Sequence, residues 1–384
     1  MSRVGYDAQA FLSPNGGTGK GAQLRTLIGP FIDRFIGFAS TDPNPSGMPL
    51  VQEGRQSYTL WQQLSLPKSL RRHKIDFFLA PYNVAPFYLP RGVELILVLH
   101  DTILMKKFVK PDLRGRLMDL YRRWQIPASV RRARIVLTVS GHAKSEILEA
   151  FPRADVRVIS CTVPKVWFDP RPLKQRAGYL LMVTSSAPHK NAAGAIEAYA
   201  SYVKRTGSGA RPLKLVGLSG KAGAYQERLQ HLGIAPLITF LPFLCERELI
   251  SLYQDAAALL FPSYAEGFGI PMLEAMATGT PVIAARATSL PEVGGDAAYY
   301  FDPNSVNEMA AALETVLTDD GLREQMAAKG LVRAELYQPE VIGRQVMKFW
   351  EEVAGITVGP TMSTPAPQES PASTALGPRA TATP

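Results

Sequence analysis

The segment SYAEGFGIPMLEAMATGTPVI, residues 263–283, places two carboxylates, Glu266 and Glu274, around a glycine-bearing turn. Carboxylates accept hydrogen bonds well from hydroxyl groups, including those of sugars. A glycine-rich turn that leads into a helix presents free backbone N–H groups, which can bind a phosphate. The segment therefore fits a ligand with both phosphates and hydroxyls, such as a sugar nucleotide. An ordinary strand–loop–helix crossover with two solvated acids is the alternative interpretation.

The residues between the two glutamates predict how the turn is built. Gly267 and Gly269 permit backbone conformations and close approaches that other residues resist. Pro271 suits the first turn of a helix, because its missing N–H would be unpaired there in any case. Gly279 can end that helix in the left-handed conformation. We therefore expect a strand, a glycine-bearing loop, a short helix and a second strand, in that order.

Three other segments carry polar residues where a ligand could bind. The apolar run LILVL is followed by His100 and Asp101, and open α/β sheets bind ligands beyond the carboxyl ends of their strands. SSAPHKN puts Lys190 near a helix start, where an ammonium group and N–H groups could share a pyrophosphate. SPNGGTGKG, which contains Gly16 and Gly17, indicates close backbone approach but lacks P-loop spacing. Each segment, taken singly, also fits a turn cap or a surface loop.

Length and composition indicate a cytoplasmic protein of two globular domains. The chain has 384 residues, of which 46% are hydrophobic and 20% are charged. No apolar run approaches the roughly 18 residues of a membrane span, and the first residues lack the apolar core of a secretory signal. Cys161 and Cys245 lie far apart, which argues against a disulfide framework and favours a reducing compartment.

Charge is unevenly distributed along the chain. Residues 1–177 contain 27 Lys and Arg against 13 Asp and Glu, whereas residues 178–384 contain 15 against 20. A basic half suggests an anionic partner. Residues 114–134 interleave arginines with aromatic and aliphatic residues, as helices at anionic membranes do; a solvated helix face is the alternative. We expect no nucleic-acid partner, because no motif of a nucleic-acid-binding domain is present. The cations that we assign to a membrane or acceptor surface are Lys68, Arg71, Arg72, Lys74, Arg122, Arg123, Arg131 and Arg132.

Strand and helix patterns alternate through both halves of the chain, which predicts an α/β fold of βαβ units. Apolar runs of four or five residues are typical of parallel strands covered on both faces. The predicted strands are Phe35–Ala39, Phe77–Ala80, Leu95–Leu99, Ile135–Val139, Val156–Ile159, Tyr179–Val183, Pro212–Val216, Ile238–Phe240, Ala258–Phe261 and Pro281–Ala284. Predicted helices between them include Ala192–Tyr202, Ala224–His231 and Ser305–Thr318.

A proline-containing linker at residues 166–178 suggests one domain over 1–172 and a second over 178–340. The chain after residue 355 is rich in Pro, Ser, Thr and Ala and cannot bury a core. We therefore expect a disordered tail over 355–384.

The stretch 258–303, ALLFPSYAEGFGIPMLEAMATGTPVIAARATSLPEVGGDAAYYFDP, resembles the donor-site signature of retaining family-4 glycosyltransferases. NGGTGKG, VLHD, TVSGHAKSEIL and VTSSAPHKN occur in the order expected of that family, so the resemblance covers roughly residues 3–350. It implies a GT-B architecture, in which two Rossmann-like domains with parallel sheets face a central cleft. The C-terminal domain would hold the sugar nucleotide and the N-terminal domain the acceptor. A final helix over 341–354 would cross back to the N-terminal domain.

The resemblance also implies roles for individual residues. Glu266 would contact the donor sugar and Glu274 the ribose hydroxyls, while Lys190 would neutralise the diphosphate and ease its departure. His100 would lie near the reacting centre. The residues whose backbone would approach the donor phosphates and sugar are Gly16, Gly17, Gly267, Phe268, Gly269 and Ile270.

The diphosphate site departs from many members of the family. They carry an arginine five positions before the lysine, or a cation directly before it. Here these positions hold Ser185 and His189. We therefore expect a less cationic site in which helix N–H groups contribute more of the phosphate binding.

The implied reaction is sugar transfer with retention, in which the leaving phosphate oxygen helps to deprotonate the incoming hydroxyl. No protein nucleophile, cofactor or essential metal is then expected, and the sequence contains no Asp-x-Asp motif. The motifs look most like those of bacterial mannosyltransferases that build polysaccharide or O-antigen units. This implies GDP-mannose as donor and a polyprenyl-diphosphate-linked oligosaccharide as acceptor, with the protein attached peripherally to the inner face of the cell membrane. The alternatives are a UDP-sugar donor such as UDP-glucose or UDP-N-acetylglucosamine, a sugar-nucleotide epimerase, and a non-enzymatic membrane-binding module.

Overall fold

A computed structural model describes residues 2–9, 19–40, 49–54, 57–102 and 124–357 of the chain. These residues form two α/β units, each built on one parallel sheet. Gly16, Gly17, Arg122 and Arg123 lie outside the described residues, and so does almost all of the predicted tail, from residue 358 onward.

The N-terminal sheet has seven parallel strands in the order β3-β2-β1-β4-β5-β6-β7. Its central strands are apolar and buried on both faces, which is typical of a parallel sheet with helices on each side. The strand order reverses direction between β1 and β4, which is where such sheets open a ligand crevice. The strands are β1 (Val4–Asp7), β2 (Ile36–Ala39), β3 (Leu50–Gln52), β4 (Phe77–Ala80), β5 (Glu94–Val98), β6 (Ala133–Thr138) and β7 (Val156–Val158).

Helices cover this sheet on both faces. The described helices of this half are α1 (Gly19–Ile28), α2 (Leu66–Arg72), α3 (124–132) and α4 (Gly141–Ala150). A helical turn at Tyr58–Leu60 and a π-helical segment at Trp61–Ser65 lead directly into α2.

The C-terminal sheet has six parallel strands in the order β10-β9-β8-β11-β12-β13. Its central strand, β11, is buried along its whole length. The strands are β8 (Tyr179–Val183), β9 (Leu213–Val216), β10 (Ile238–Leu241), β11 (Ala256–Phe261), β12 (Val282–Ala285) and β13 (Ala298–Phe301). The helices are α5 (Ala192–Thr206), α6 (Gly223–His231), α7 (Glu246–Asp255), α8 (Ile270–Ala277), α9 (Leu290–Gly294), α10 (Val306–Thr318) and α11 (Asp320–Glu335).

The last described helix, α12 (Pro339–Ala354), packs on the N-terminal half. Val346 and Trp350 are fully buried in the same apolar cluster as Leu27 of α1. The indole nitrogen of Trp350 donates a hydrogen bond of 2.9 Å to the Leu27 carbonyl oxygen. The Trp350 ring also meets Phe35 edge-on, with 4.9 Å between ring centroids. The chain therefore returns to its first domain after completing the second.

The fold class predicted from the sequence is confirmed, and each predicted strand overlaps an observed one. Three strands, β1, β3 and β13, were not predicted. The apolar pattern of β1 is broken by Gly5 and by the acidic Asp7. Strands β3 and β13 lie at sheet edges and neither is fully buried, so they lack the full burial of a central strand. Within the described part of the chain, no helix has both the length and the apolarity needed to cross a bilayer.

Candidate active site

The loops at the carboxyl ends of the two sheets meet across a cleft. A Cβ atom added at Gly267, which follows β11, would lie 2.5 Å from the backbone oxygen of His100, which follows β5. The Ser140 hydroxyl, which follows β6, donates a hydrogen bond of 2.8 Å to the Gly267 carbonyl oxygen. This close approach therefore requires glycine at position 267. His100 and the loop of Gly267, which the sequence analysis treated as separate sites, face each other.

Lys190 and Glu266 form an ion pair in this cleft. The Lys190 Nζ atom lies 2.7 Å from Oε1 and 2.9 Å from Oε2 of Glu266. Their side chains are only 22% and 11% exposed, so water screens the pair weakly. Asn191, in the left-handed conformation with φ of 53°, donates from Nδ2 to the carbonyl oxygens of Pro262 and Pro303. These bonds fix the Lys190 turn against the loop that carries Glu266.

Hydrogen bonds from the start of α9 hold the loop between Glu266 and α8. The Glu266 N–H donates to Thr288 Oγ1 at 2.9 Å. The buried Ser289 hydroxyl lies 3.0 Å from both the Glu266 and Phe268 carbonyl oxygens. Gly269 has a φ of 114°, and a Cβ added there would lie 2.8 Å from Leu290. Only glycine suits this position, and the loop delivers the first turn of α8 to the cleft.

Glu274 lies on α8, further along the chain from the ion pair. Its carboxylate accepts a hydrogen bond of 3.0 Å from the Tyr253 hydroxyl of α7. Burial raises the pKa of the Glu274 carboxyl to about 7, although the bond from Tyr253 acts in the opposite direction. A partly buried carboxylate that already holds one hydroxyl can accept further hydrogen bonds from others. This is the chemistry that recognition of a ribose requires.

His100 is held in a fixed orientation beside the loop of Gly267. Its side chain is 9% exposed, and its Nε2 atom lies 3.1 Å from the Pro81 carbonyl oxygen. Because that carbonyl can only accept, the neutral ring carries its proton on Nε2. The His100 N–H donates to Asn83 Oδ1 at 3.0 Å, and Asn83 itself has a φ of 65°. The two loops after β4 and β5 together position the imidazole.

Ser185 and His189 precede Lys190 in the segment that joins β8 to α5. The Ser185 hydroxyl accepts a bond of 3.4 Å from the Ala187 N–H. Burial, and secondarily the adjacent Lys190 charge, lowers the pKa of the His189 imidazole below 6.5. His189 is therefore mainly neutral at pH 7, and it adds little positive charge to the site.

Sequence reasoning missed the second layer of this site. Ser140, Thr288 and Ser289 bind the loop between Glu266 and α8. Ser140 belongs to the motif TVSGHAKSEIL, and Thr288 and Ser289 belong to the stretch 258–303, but none of the three was given a role. Asp7, at the carboxyl end of β1, was also missed. It is buried, its carboxylate accepts a bond of 2.8 Å from the Tyr58 hydroxyl, and burial raises its pKa to about 7. Its place at the end of a central strand was the available signal.

Some of the basic residues that we assigned to a membrane or acceptor surface also bind other groups of the protein. Lys68, Arg71 and Arg72 are exposed on α2, and Lys74 is exposed just after it. Arg131 and Arg132 are exposed at the end of α3. Arg72 pairs with Glu53 at 2.6 Å. Arg132 donates to the carbonyl oxygens of Pro86 and Phe87, so its guanidinium fixes a loop as well as adding charge.

Comparisons with known proteins agree with this architecture. The family model "Glycosyltransferase Family 4" matches residues 26–165, and "Glycosyl transferases group 1" matches residues 163–332. O-antigen chain mannosyltransferase B of Escherichia coli is 32% identical over 284 residues, which cover 70% of this chain and 74% of that protein. MMP alpha-(1->4)-mannosyltransferase of Mycolicibacterium hassiacum is 26% identical over 92% of each chain.

A solved structure shows the same fold at low sequence identity. Anabaena HepE, in complex with UDP and glucose, matches with a TM-score of 0.72 at 18% identity, covering 92% of this chain and 100% of its own. The parallel sheets and the matching family models leave one architecture, GT-B. The chain therefore belongs to the family-4 glycosyltransferases with the GT-B fold, and it is a hexosyltransferase.

Proposed function

We propose that this enzyme transfers mannose, with retained configuration, from GDP-mannose to a polyprenyl-diphosphate-linked oligosaccharide in polysaccharide or O-antigen biosynthesis. The observation that carries the proposal is the meeting of Lys190 and Glu266 in the cleft, beside the first turn of α8. An ammonium group, a carboxylate and free helix N–H groups at one place match a diphosphate joined to a sugar. The same set has no evident use in a purely structural module.

Donor binding would rearrange the ion pair. The diphosphate offers Lys190 a more highly charged partner than Glu266 does, while the N–H groups of Gly269 and Ile270 at the start of α8 receive phosphate oxygens. Glu266 is then released to accept hydrogen bonds from sugar hydroxyls. Glu274 would bind the ribose at the other end of the donor. Glu266 would thus bind the sugar, Lys190 and the α8 N–H groups the diphosphate, and Glu274 the ribose. This is the order of these groups along a sugar nucleotide.

The proposed transfer requires no protein nucleophile. The acceptor hydroxyl oxygen bonds to the anomeric carbon on the face that the phosphate leaves, as the bond from that carbon to the phosphate oxygen breaks. The departing phosphate oxygen takes the hydroxyl proton, and Lys190 stabilises its developing charge. His100 borders the reacting centre from the N-terminal side, where it would orient the sugar or the acceptor.

The names of the relatives favour mannose over other sugars. O-antigen chain mannosyltransferase B and the O-antigen chain mannosyltransferase RfbU of Salmonella typhimurium are each 32% identical to this chain over their matched segments. A third relative is also a mannosyltransferase. A UDP-sugar remains the competing donor, and a panel of purified nucleotide sugars distinguishes the two.

We also propose that the N-terminal half docks on an anionic membrane, where a polyprenyl-linked acceptor resides. Trp124 is 72% exposed and Tyr88 is 63% exposed, and such aromatic residues favour the membrane–water interface. Arg132 donates to backbone carbonyl oxygens of the loop that carries Tyr88. Gln125, next to Trp124, donates to the Ala85 carbonyl oxygen of the same loop. Exposed aromatic residues and arginines thus lie on adjoining segments, as on interfacial proteins.

The test is turnover with a donor panel and a polyprenyl-diphosphate-linked glycan acceptor. We expect GDP-mannose to be consumed fastest, with acceptor present, and the anomeric C–H coupling of the product to show an α-mannoside. Preferred turnover of a UDP-sugar would exclude the mannose assignment. Donor turnover without acceptor, giving an isomerised sugar nucleotide, would instead indicate an epimerase.

A further inference from the structure

A carboxylate of the C-terminal domain caps a helix of the N-terminal domain. Glu292, on α9, accepts hydrogen bonds from the N–H groups of Gly141 at 2.7 Å and His142 at 2.9 Å. These groups are the first two N–H groups of α4. A carboxylate at a helix N-terminus is stabilised both by these bonds and by the helix dipole. We call this contact, between Glu292 and the two N–H groups, the latch.

The surrounding residues are arranged so that the latch can form. A Cβ atom added at Gly141 would lie 3.3 Å from Glu292 Oε1, so the small residue keeps the approach open. On the other side, Arg333 of α11 donates from Nε to the Val293 carbonyl oxygen at 2.8 Å and also binds the Glu292 carbonyl oxygen. The backbone of Glu292 is thereby fixed to its own domain, while its side chain reaches across.

The latch is joined through a few residues to the loop between Glu266 and α8, which we call the donor loop. Thr288 and Ser289 bind the backbone of Glu266 and Phe268, and they lie directly before α9, which carries Glu292. Ser140, which binds the Gly267 carbonyl oxygen, lies directly before Gly141. Both partners of the latch are therefore continuous with residues that hold the loop of the ion pair.

We propose that Glu292 is a positioning residue that holds the two domains closed and, through that closure, sets the donor loop against His100. Glu292 is exposed at the rim of the cleft, so water can replace its two bonds and the latch can open for substrate exchange. The inference concerns closure of the cleft and does not depend on which sugar nucleotide binds. Only the expected change in kcat rests on the proposed function.

The first test measures closure without substrate. Spin labels are attached at Glu149→Cys on α4 and Asn307→Cys on α10, with the exposed Cys245 replaced by Ser. Glu292→Gln keeps the side-chain shape but turns an amide N–H₂ toward one of the two N–H groups, and Glu292→Ala removes both bonds. We expect both variants to gain a population at longer label distance, larger for Glu292→Ala.

The second test separates positioning from general stability. We expect Glu292→Ala to lower kcat about tenfold, the effect of about 1.4 kcal/mol lost in the closed state, with the Kd for GDP or UDP changed less than about twofold. Glu308→Gln is the matched control, because Glu308 also accepts from a backbone N–H, that of Asp302, within one domain. It should behave as wild type in both tests.

Two results would overturn the proposal. Unchanged label distances in Glu292→Ala would show that the latch does not hold the domains closed. A loss of kcat matched by equal losses of nucleotide affinity and Tm would show a merely structural residue. If the distances change but no nucleotide sugar in the panel turns over, the latch stands and the proposed reaction fails.

Discussion

At the scale of single residues, the central feature is the ion pair between Lys190 and Glu266. Sequence reasoning assigned these two residues to different parts of one donor. It could not show that they pair, because 76 residues separate them and only the sheet order brings β8 beside β11. Under the proposed function, donor binding would exchange the partner of Lys190 from Glu266 to the diphosphate. Substitutions at Lys190 and at Glu266 should then have opposite effects on nucleotide affinity.

Glu266→Gln should abolish most turnover while keeping nucleotide affinity. The amide cannot hold Lys190 as tightly, so the ammonium group is freer for the diphosphate, and GDP should bind at least as well as to wild type. Lys190→Ala should instead weaken GDP binding by about 1.5–3 kcal/mol, typical of a bond to a charged group. Calorimetry with GDP and UDP measures both; weaker binding in Glu266→Gln would refute the exchange.

His100→Ala should also lose turnover and keep nucleotide affinity if, as we propose, His100 borders the reacting centre from the N-terminal domain. The bond of its Nε2 to the Pro81 carbonyl oxygen sets the ring orientation. His100→Asn is a matched control that keeps one amide donor but not the ring. Steady-state rates and calorimetry together decide, and wild-type turnover in His100→Ala would remove His100 from the site.

Glu274 predicts a pH dependence of nucleotide binding. Burial raises its pKa to about 7, so the carboxyl gains its proton as the pH falls through this value. The protonated form accepts hydrogen bonds from ribose less well, and nucleotide affinity should therefore rise from pH 6 to pH 8. Titrations of GDP at each pH should show a smaller slope in Glu274→Gln. The phosphate of the ligand titrates equally for both proteins, so identical slopes would refute the ribose role.

At the scale of elements, the sequence predicted central strands better than edges. Apolar runs such as AALLF and LILV need burial on both faces, and this requirement is visible without a structure. Leu50–Gln52 is a three-residue edge strand, so pairing with β2 rather than its own composition decides that it is a strand. The loop at Gly267 was predicted to allow close approach, but its partner, the His100 backbone, lies in the other domain.

The helix α12 should contribute strongly to the stability of the N-terminal domain. Trp350 is fully buried and donates a hydrogen bond to the Leu27 carbonyl oxygen. Trp350→Ala should lower the free energy of unfolding by about 3–5 kcal/mol, because it leaves a large cavity and an unpaired carbonyl group. Trp124→Ala is the matched control, because Trp124 is 72% exposed. It should change the free energy of unfolding by less than about 0.5 kcal/mol. Urea unfolding provides both values; equal losses would contradict the packing of α12.

At the scale of the whole molecule, the two domains face a common cleft and differ in charge. The basic half is the one that would receive a lipid-linked acceptor, and the half with more acidic residues would hold the soluble donor. Under the proposed function, this division would keep the enzyme near a lipid-linked acceptor while soluble donors exchange.

We therefore predict selective binding to anionic vesicles. Each Lys or Arg near an anionic surface contributes about 1 kcal/mol, attenuated beyond a Debye length of roughly 8–10 Å. Replacing Lys68 and Arg71 by Ser should reduce pelleting with phosphatidylserine vesicles about tenfold, while the same change at the exposed Lys204 and Lys221 of the C-terminal half should not. Raised salt should release the wild-type protein. Equal binding to neutral vesicles would refute an electrostatic membrane surface.

The most direct test of the central claim is a crystal structure of the protein with GDP bound. The account predicts a phosphate oxygen about 2.8 Å from Lys190 Nζ, with Glu266 no longer paired to it, and the ribose hydroxyls on the Glu274 carboxylate. The phosphates should also meet the N–H groups at the start of α8. A nucleotide bound elsewhere, or bound with the Lys190–Glu266 pair intact, would contradict the account.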